Sequence, residues 1–216
     1  MKQNFDQSIL KVYFIAGTQD TPSKDAFISI LQSALEAGIT CFQLREKGEN
    51  ALTGEAKLAL AKEVKALCQK YNVPFIVNDD IELAKAVDAD GIHLGQDDEK
   101  IENIIHDFED KIIGLSVSTL QEYDNSDLAH VDYIGVGPVY QTSSKSDAKQ
   151  PGGIELIRKM RLYDKHIPIV AIGGITSTNC EMILKAGANG ISTISSITKA
   201  NDVKSVVEAY KAYYQS

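Results

Sequence analysis

Apolar, β-rich runs recur eight times along the 216 residues, at 12–16, 40–44, 75–77, 91–94, 112–117, 133–136, 169–172 and 190–193, with helically periodic sequence between them. Strands that are apolar throughout are buried on both faces, and when helices separate them they pair in parallel. Leu60, Val64, Leu67, Cys68 and Tyr71 fall on one helical face, as do Val203, Val206, Val207, Tyr210 and Tyr214, so each stripe can cover one side of a sheet. Thr21-Pro22 reads as an N-cap with proline at the first helical position, and Gly38 and Gly187 as residues that close helices. Eight strand and helix units in a chain of this length predict a single-domain closed (β/α)8 TIM barrel over residues 1–216. A doubly wound open sheet is the alternative, but the first strand ends in Gly17-Thr18 without the G-x-G-x-x-G turn of a dinucleotide site.

In a barrel, functional groups gather at the C-terminal strand ends, and the polar clusters fall there. In Cys41-Phe42-Gln43-Leu44-Arg45-Glu46-Lys47 the alternation puts Gln43, Arg45 and Lys47 on one face and turns Phe42 and Leu44 toward the helices. The next two strand ends carry carboxylates instead, Asn78-Asp79-Asp80 and Gln96-Asp97-Asp98. A cationic fork beside paired carboxylates suits a diphosphate bridged by Mg²⁺, which takes one or two carboxylates together with phosphate oxygens and water. An internal ion pair between Arg45 and a later aspartate is the competing reading. Asp80 and Asp97 are expected to cap the following helices, and His93 reads as a hydrogen-bonded core histidine.

Further along, 135–145 runs from a strand into a hydroxyl-rich loop that returns at Pro151-Gly152-Gly153. Such a loop is either a lid over phosphate or a surface excursion. Gly173-Gly174 and Ile194-Ser195 end the last two strands, where barrels commonly bind phosphate through backbone N–H groups. Ser116 points to the mouth as a ligand contact or a helix cap.

The net charge of −8 without a basic run argues against nucleic acid. Three scattered cysteines, Cys41, Cys68 and Cys180, fit a reducing compartment, and no segment reads as a signal peptide or a membrane span. A soluble cytoplasmic protein is expected, with homo-oligomerisation open. No G-x-S-x-G or H-E-x-x-H motif advertises a protein nucleophile or a zinc protease. Two anion sites without a nucleophile point to the joining of two phosphorylated small molecules with departure of diphosphate.

The segments QLREK at 43–47, NDD at 78–80, DGIHLGQDD at 90–98, GLSVST at 114–119, GVGPVYQTSSK at 135–145, AIGGI at 171–175 and ISTISSI at 191–197, in this order and spacing, resemble the thiamine phosphate synthase (thiamine-phosphate pyrophosphorylase) family. The resemblance implies a TIM barrel that joins a pyrimidine diphosphate to a thiazole phosphate. It places Gln43, Arg45, Lys47, Asn78, Ser116 and Lys145 on the pyrimidine diphosphate, within a segment that includes Leu44 and Glu46. It also implies Asp79 and Asp98 on Mg²⁺, and Thr142, Ser144, Gly174, Ile194 and Ser195, with Ser143 between, on the thiazole phosphate. Lys145, Arg45 and Ser116 are expected to act on the reacting groups. The family's P-T-x-T-K loop is altered, with Gln141 for proline and Ser144 for the second threonine, which implies weaker preorganisation with the hydroxyl kept. A thiazole tautomerase would not need Lys145 together with both aspartates, a non-catalytic sensor would not need a leaving-group clamp, and a sugar-phosphate isomerase would need an acid/base pair the sequence does not offer.

Overall fold

The computed structural model describes residues 5–144 and 149–215. Eight parallel strands close in sequence order: β1 (Val12–Ala16), β2 (Cys41–Leu44), β3 (Phe75–Asn78), β4 (Gly91–Leu94), β5 (Ile112–Val117), β6 (Tyr133–Val136), β7 (Ile169–Ala171) and β8 (Gly190–Thr193). β8 returns to β1 through Val12 opposite Ile191 and Phe14 opposite Thr193, so the sheet has no free edge. The helices are α1 (Lys24–Ala37), α2 (Gly54–Lys70), α3 (Ile81–Ala86), α4 (Ile101–Ile104), α5 (Leu120–Asn125), α6 (Gly153–Tyr163), α7 (Cys180–Lys185), α8 (Ser195–Thr198) and α9 (Val203–Ala212). The TIM barrel replaces the open sheet as the only arrangement in which every strand has two neighbours.

Period-two alternation divides the apolar residues into two cores. Val12, Phe14, Phe42, Leu44, Phe75 and Val77 face outward and pack beneath the helices, joined by the predicted stripe residues Leu60, Val64, Cys68, Val207 and Tyr210. Tyr13, Ile15, Cys41, Ile76, Tyr133 and Val170 face inward, with Leu10 from the preceding 3₁₀ turn closing the lower end. Each large side chain taken from water in this way contributes about 1.5–3 kcal/mol, so a shift of register by one residue would exchange both cores at once.

Two capping expectations are corrected. α1 is capped by Ser23, whose Oγ accepts from Ala26 N–H at 3.1 Å, two residues beyond Thr21; Pro22 therefore precedes the helix. Asp97 caps nothing, because α4 begins after Lys100. Asp80 does cap α3, with Oδ1 accepting from Leu83 N–H at 2.9 Å. Gly38 closes α1 in the left-handed conformation that its lack of a Cβ permits, at φ 92°.

Candidate active site

The strand ends surround a cavity of about 220 Å³ at the C-terminal mouth. Arg45, Lys47, Asn78, Asp79 and Asp98 line one side of it, Ser116 the next, and Thr142, Ser144, Gly174, Ile194 and Ser195 the other. Residues from opposite ends of the sequence thus line one cavity. Lys145 lies outside the described residues.

On the charged side, Arg45 continues the β2 ladder one residue past the strand, its N–H donating to Ala16 O at 2.9 Å. Its carbonyl accepts from the Gln19 amide at 2.6 Å. Glu46 is drawn away from the cavity, accepting from Thr18 N–H at 2.5 Å, Thr18 Oγ1 at 2.9 Å and Leu52 N–H at 2.7 Å. These bonds clamp the β1 and β2 loops together and fix the direction of Arg45, which is 6 % exposed. The nearby Asp20 carboxyl is pushed above the usual carboxylate range by burial, partly offset by the Gly17 N–H and the Arg45 charge.

Lys47 pairs with the carboxylate at the next strand end, its Nζ 2.6 Å from Asp79 Oδ2. Asp79 holds φ at 60°, in the left-handed region, where a residue with a Cβ loses about 1–2 kcal/mol. Its N–H donates to His93 O at 2.9 Å, which anchors that strained turn to β4. Asp98 folds back on its own loop, Oδ2 accepting from Gly95 N–H at 2.8 Å. Burial raises the Asp98 carboxyl, and the hydrogen bond and charge of Asp79 raise it further. Two carboxyls driven together resist ionising side by side unless a cation lies with them. Hard oxygen donors in this state fit Mg²⁺, although two carboxylates alone do not complete its shell. No group of three or more His, Cys, Asp or Glu suited to a metal occurs among the described residues, so the remaining ligands would be water and ligand oxygens.

The opposite side is made of backbone. Gly173 and Gly174 hold φ at 105° and 61°. A Cβ on Gly173 would fall 2.5 Å from Pro138 Cβ, and one on Gly174 would fall 2.6 Å from Gln141 O. Only glycine therefore lets the β7 end lie against the β6 loop. That loop's return is pinned by Gly152 N–H to Pro138 O at 2.9 Å and Gly153 N–H to Val139 O at 3.0 Å. Ser144 N–H donates to Thr142 Oγ1 at 3.2 Å, which orients the hydroxyl pair at the edge of the cavity. Ser195 begins α8.

Gln43, Leu44 and Ser143 stand elsewhere. Leu44 belongs to the outer core, and Ser143 lines an adjoining polar cavity that shares Arg45, Lys47, Ser144, Ile194 and Ser195 with the first. Gln43 is 1 % exposed in the barrel interior, its Nε2 donating to Tyr13 Oη at 2.9 Å. Ser116 is no helix cap, since Thr119 caps α5. The reading of His93 as a hydrogen-bonded core residue holds, with Tyr133 Oη 3.0 Å from Nδ1 and Ser116 Oγ 2.9 Å from Nε2.

Sequence reasoning missed Ser118, Glu122 and Lys149, all of which line the cavity. Alternation would have found Ser118, two residues beyond Ser116 on the same face. Glu122 accepts from Ser118 N–H at 2.7 Å and from Lys149 Nζ at 2.5 Å, a pairing across a loop that no local pattern encodes. The three cysteines are buried and their thiols pushed up, Cys68 to about 12, chiefly by burial, which leaves them unsuited to attack.

Among the described residues no helix is long and apolar enough to cross a membrane. The family model described as thiamine monophosphate synthase matches residues 12–197. The chain is similar to the solved structure of thiamine phosphate pyrophosphorylase from Pyrococcus furiosus, at 33 % identity over 97 % of each chain and a TM-score of 0.83. It is also similar to a 3-hexulose-6-phosphate synthase, at 14 % identity over 94 % of this chain and 99 % of the other, with a TM-score of 0.68, a likeness of fold alone. The closed barrel, the two-sided cavity at its mouth and these similarities place the chain in the thiamine monophosphate synthase family, as an enzyme that makes thiamine phosphate.

Proposed function

We propose that the enzyme condenses 4-amino-2-methyl-5-hydroxymethylpyrimidine diphosphate with 4-methyl-5-(2-phosphoethyl)thiazole, giving thiamine phosphate and diphosphate. One observation carries this reading: a single cavity joins a side of opposed charges, Arg45, Lys47, Asp79 and Asp98, to a side of glycine backbone and hydroxyls. Arg45 and Lys47 would hold the diphosphate, Arg through its planar fork and Lys as a point charge. Asn78 would add an amide donor. Asp79 and Asp98 would hold Mg²⁺, which when bound supplies positive charge to the departing diphosphate.

The pyrimidine diphosphate ionises at its exocyclic carbon, and the aminopyrimidine ring delocalises the positive charge left behind. The thiazole nitrogen then forms the new C–N bond. No protein nucleophile is required, in keeping with buried, unreactive cysteines. What the chain supplies is electrostatic stabilisation of the leaving group and alignment of the second substrate. Thr142, Ser144 and the backbone at Gly174, Ile194 and Ser195 would seat the thiazole phosphate, and the family resemblance assigns Lys145 to the diphosphate. The assay is direct: purified protein, both substrates and Mg²⁺ should yield thiamine phosphate. Folded protein that fails to couple them with Mg²⁺ present would overturn the assignment.

A further inference from the structure

A row of hydrogen bonds crosses the barrel interior below the cavity and reaches its wall at His93 and Ser116. Gln43 Nε2 donates to Tyr13 Oη at 2.9 Å, Tyr13 Oη lies 2.7 Å from Tyr133 Oη, Tyr133 Oη lies 3.0 Å from His93 Nδ1, and His93 Nε2 lies 2.9 Å from Ser116 Oγ. Tyr13, Tyr133, Gln43 and His93 are all buried, and Ser116 faces the cavity. The row has room because β5 carries Gly114 where a Cβ would lie 2.3 Å from the Tyr133 ring and 2.5 Å from His93 Nδ1.

Each hydroxyl owns one proton, so the row has a sense. An amide nitrogen only donates, and Tyr13, accepting from Gln43, uses its own proton within the row by donating it to Tyr133 rather than to the neighbouring Cys41 thiol. Tyr133 in turn donates to Nδ1, which leaves the histidine proton on Nε2, aimed at Ser116. Ser116 accepts it and keeps its own proton for the cavity. A doubly protonated ring would reverse the bond to Tyr133 and leave the Tyr13 proton without an acceptor in the row. The row uses the Gln43 nitrogen and leaves its Oε1 buried without a hydrogen-bond partner.

We infer that His93 is a positioning residue: held as the neutral Nε2–H tautomer by the Tyr13 and Tyr133 pair, it turns Ser116 into a hydrogen-bond donor, so this corner of the cavity selects a substrate atom that offers a lone pair. Only the identity of that atom, an acceptor on the pyrimidine diphosphate, rests on the function proposed above.

The tautomer is read without substrate. Of the four histidines in the chain, His106, His130 and His166 are exposed, so in ¹⁵N-histidine-labelled protein the buried ring is identified by comparison with His93→Gln. The expected spectrum has a protonated Nε2 and a bare Nδ1. A proton on Nδ1 means the Gln43 amide faces the other way, makes Ser116 an acceptor, and overturns the inference. In turnover, His93→Leu should lower kcat/KM about tenfold, the order of one hydrogen bond, and His93→Gln, which keeps a donor near Nε2, should recover most of it. In a Ser116→Ala background the His93→Leu loss should shrink to less than about twofold. Equal losses in both backgrounds would mean that His93 only fills space. If His93→Leu does not fold, the tautomer in the unsubstituted protein still decides; if the protein does not couple the two substrates, the proposed function fails while the tautomer result stands.

Discussion

In the proposed function the two sides of the cavity mouth share one task, holding phosphate, by opposite means. Between β2 and β4, charged side chains from short loops meet: Lys47 on Asp79, Asp79 against Asp98. Between β6 and β8, glycines with positive φ bring main chain close to main chain, and hydroxyls edge the space. The first side is built from charge, so a change of charge there is expected to have the greater effect. The second is intolerant of a single methyl group, because the atoms it would strike belong to the backbone.

The difference can be tested from its extremes inward. The largest effect is expected from removing the cation: chelation of Mg²⁺ should abolish thiamine phosphate formation, and Asp98→Ala should raise the Mg²⁺ concentration needed for half-maximal rate. Turnover unchanged by a chelator would show that Arg45 and Lys47 suffice and that the carboxylates serve only as their partners. Next, Arg45→Ala should cost about 2.7–4 kcal/mol of transition-state stabilisation, as the loss of one preorganised oxyanion donor does. It should appear in kcat and kcat/KM with little change in melting temperature; a loss confined to KM would mean that Arg45 binds the ground state equally well.

Gly174→Ala probes the other side. At φ 61° with a carbonyl 2.6 Å from the added carbon, the strain of about 1–3 kcal/mol should be visible in thermal unfolding, together with a raised KM for the thiazole phosphate. An unchanged KM for that substrate would remove the β7 end from the phosphate seat. The smallest effect belongs to Asp97→Ala, which should leave stability within about 0.5 kcal/mol and Mg²⁺ dependence unaltered, since Asp97 caps no helix. If Asp97→Ala disturbed Mg²⁺ dependence more than Asp98→Ala, the carboxylates would have to be reassigned.

Much of the barrel was legible because each strand carries its own evidence. Val12–Ala16, Gly91–Leu94, Ile112–Val117, Tyr133–Val136 and Gly190–Thr193 begin and end where their β-rich runs do, since burial on both faces keeps these runs mostly apolar between polar flanks. Less legible were the caps. Thr21 and Ser23 both carry the right hydroxyl, and only the path of the chain after β1 decides that Ser23 meets Ala26. The cavity divides in the same way: Arg45, Lys47, Asp79 and Asp98 announce themselves through charge at strand ends, whereas Lys149 reaches the mouth only because its loop folds back toward Glu122.

By itself, then, the sequence determined the order of strands, the two faces of each, and the signs of charge set at their ends, because hydrophobic period and charge are local properties. Tertiary structure alone decided which of those groups meet. Gln43, on the same strand face as Arg45, is buried below it and bonded to Tyr13, because in a closed barrel successive inward residues lie at different depths. His93 joins Tyr133 to Ser116 across three strands, a juxtaposition set by the curvature and register of the barrel, which no single segment encodes.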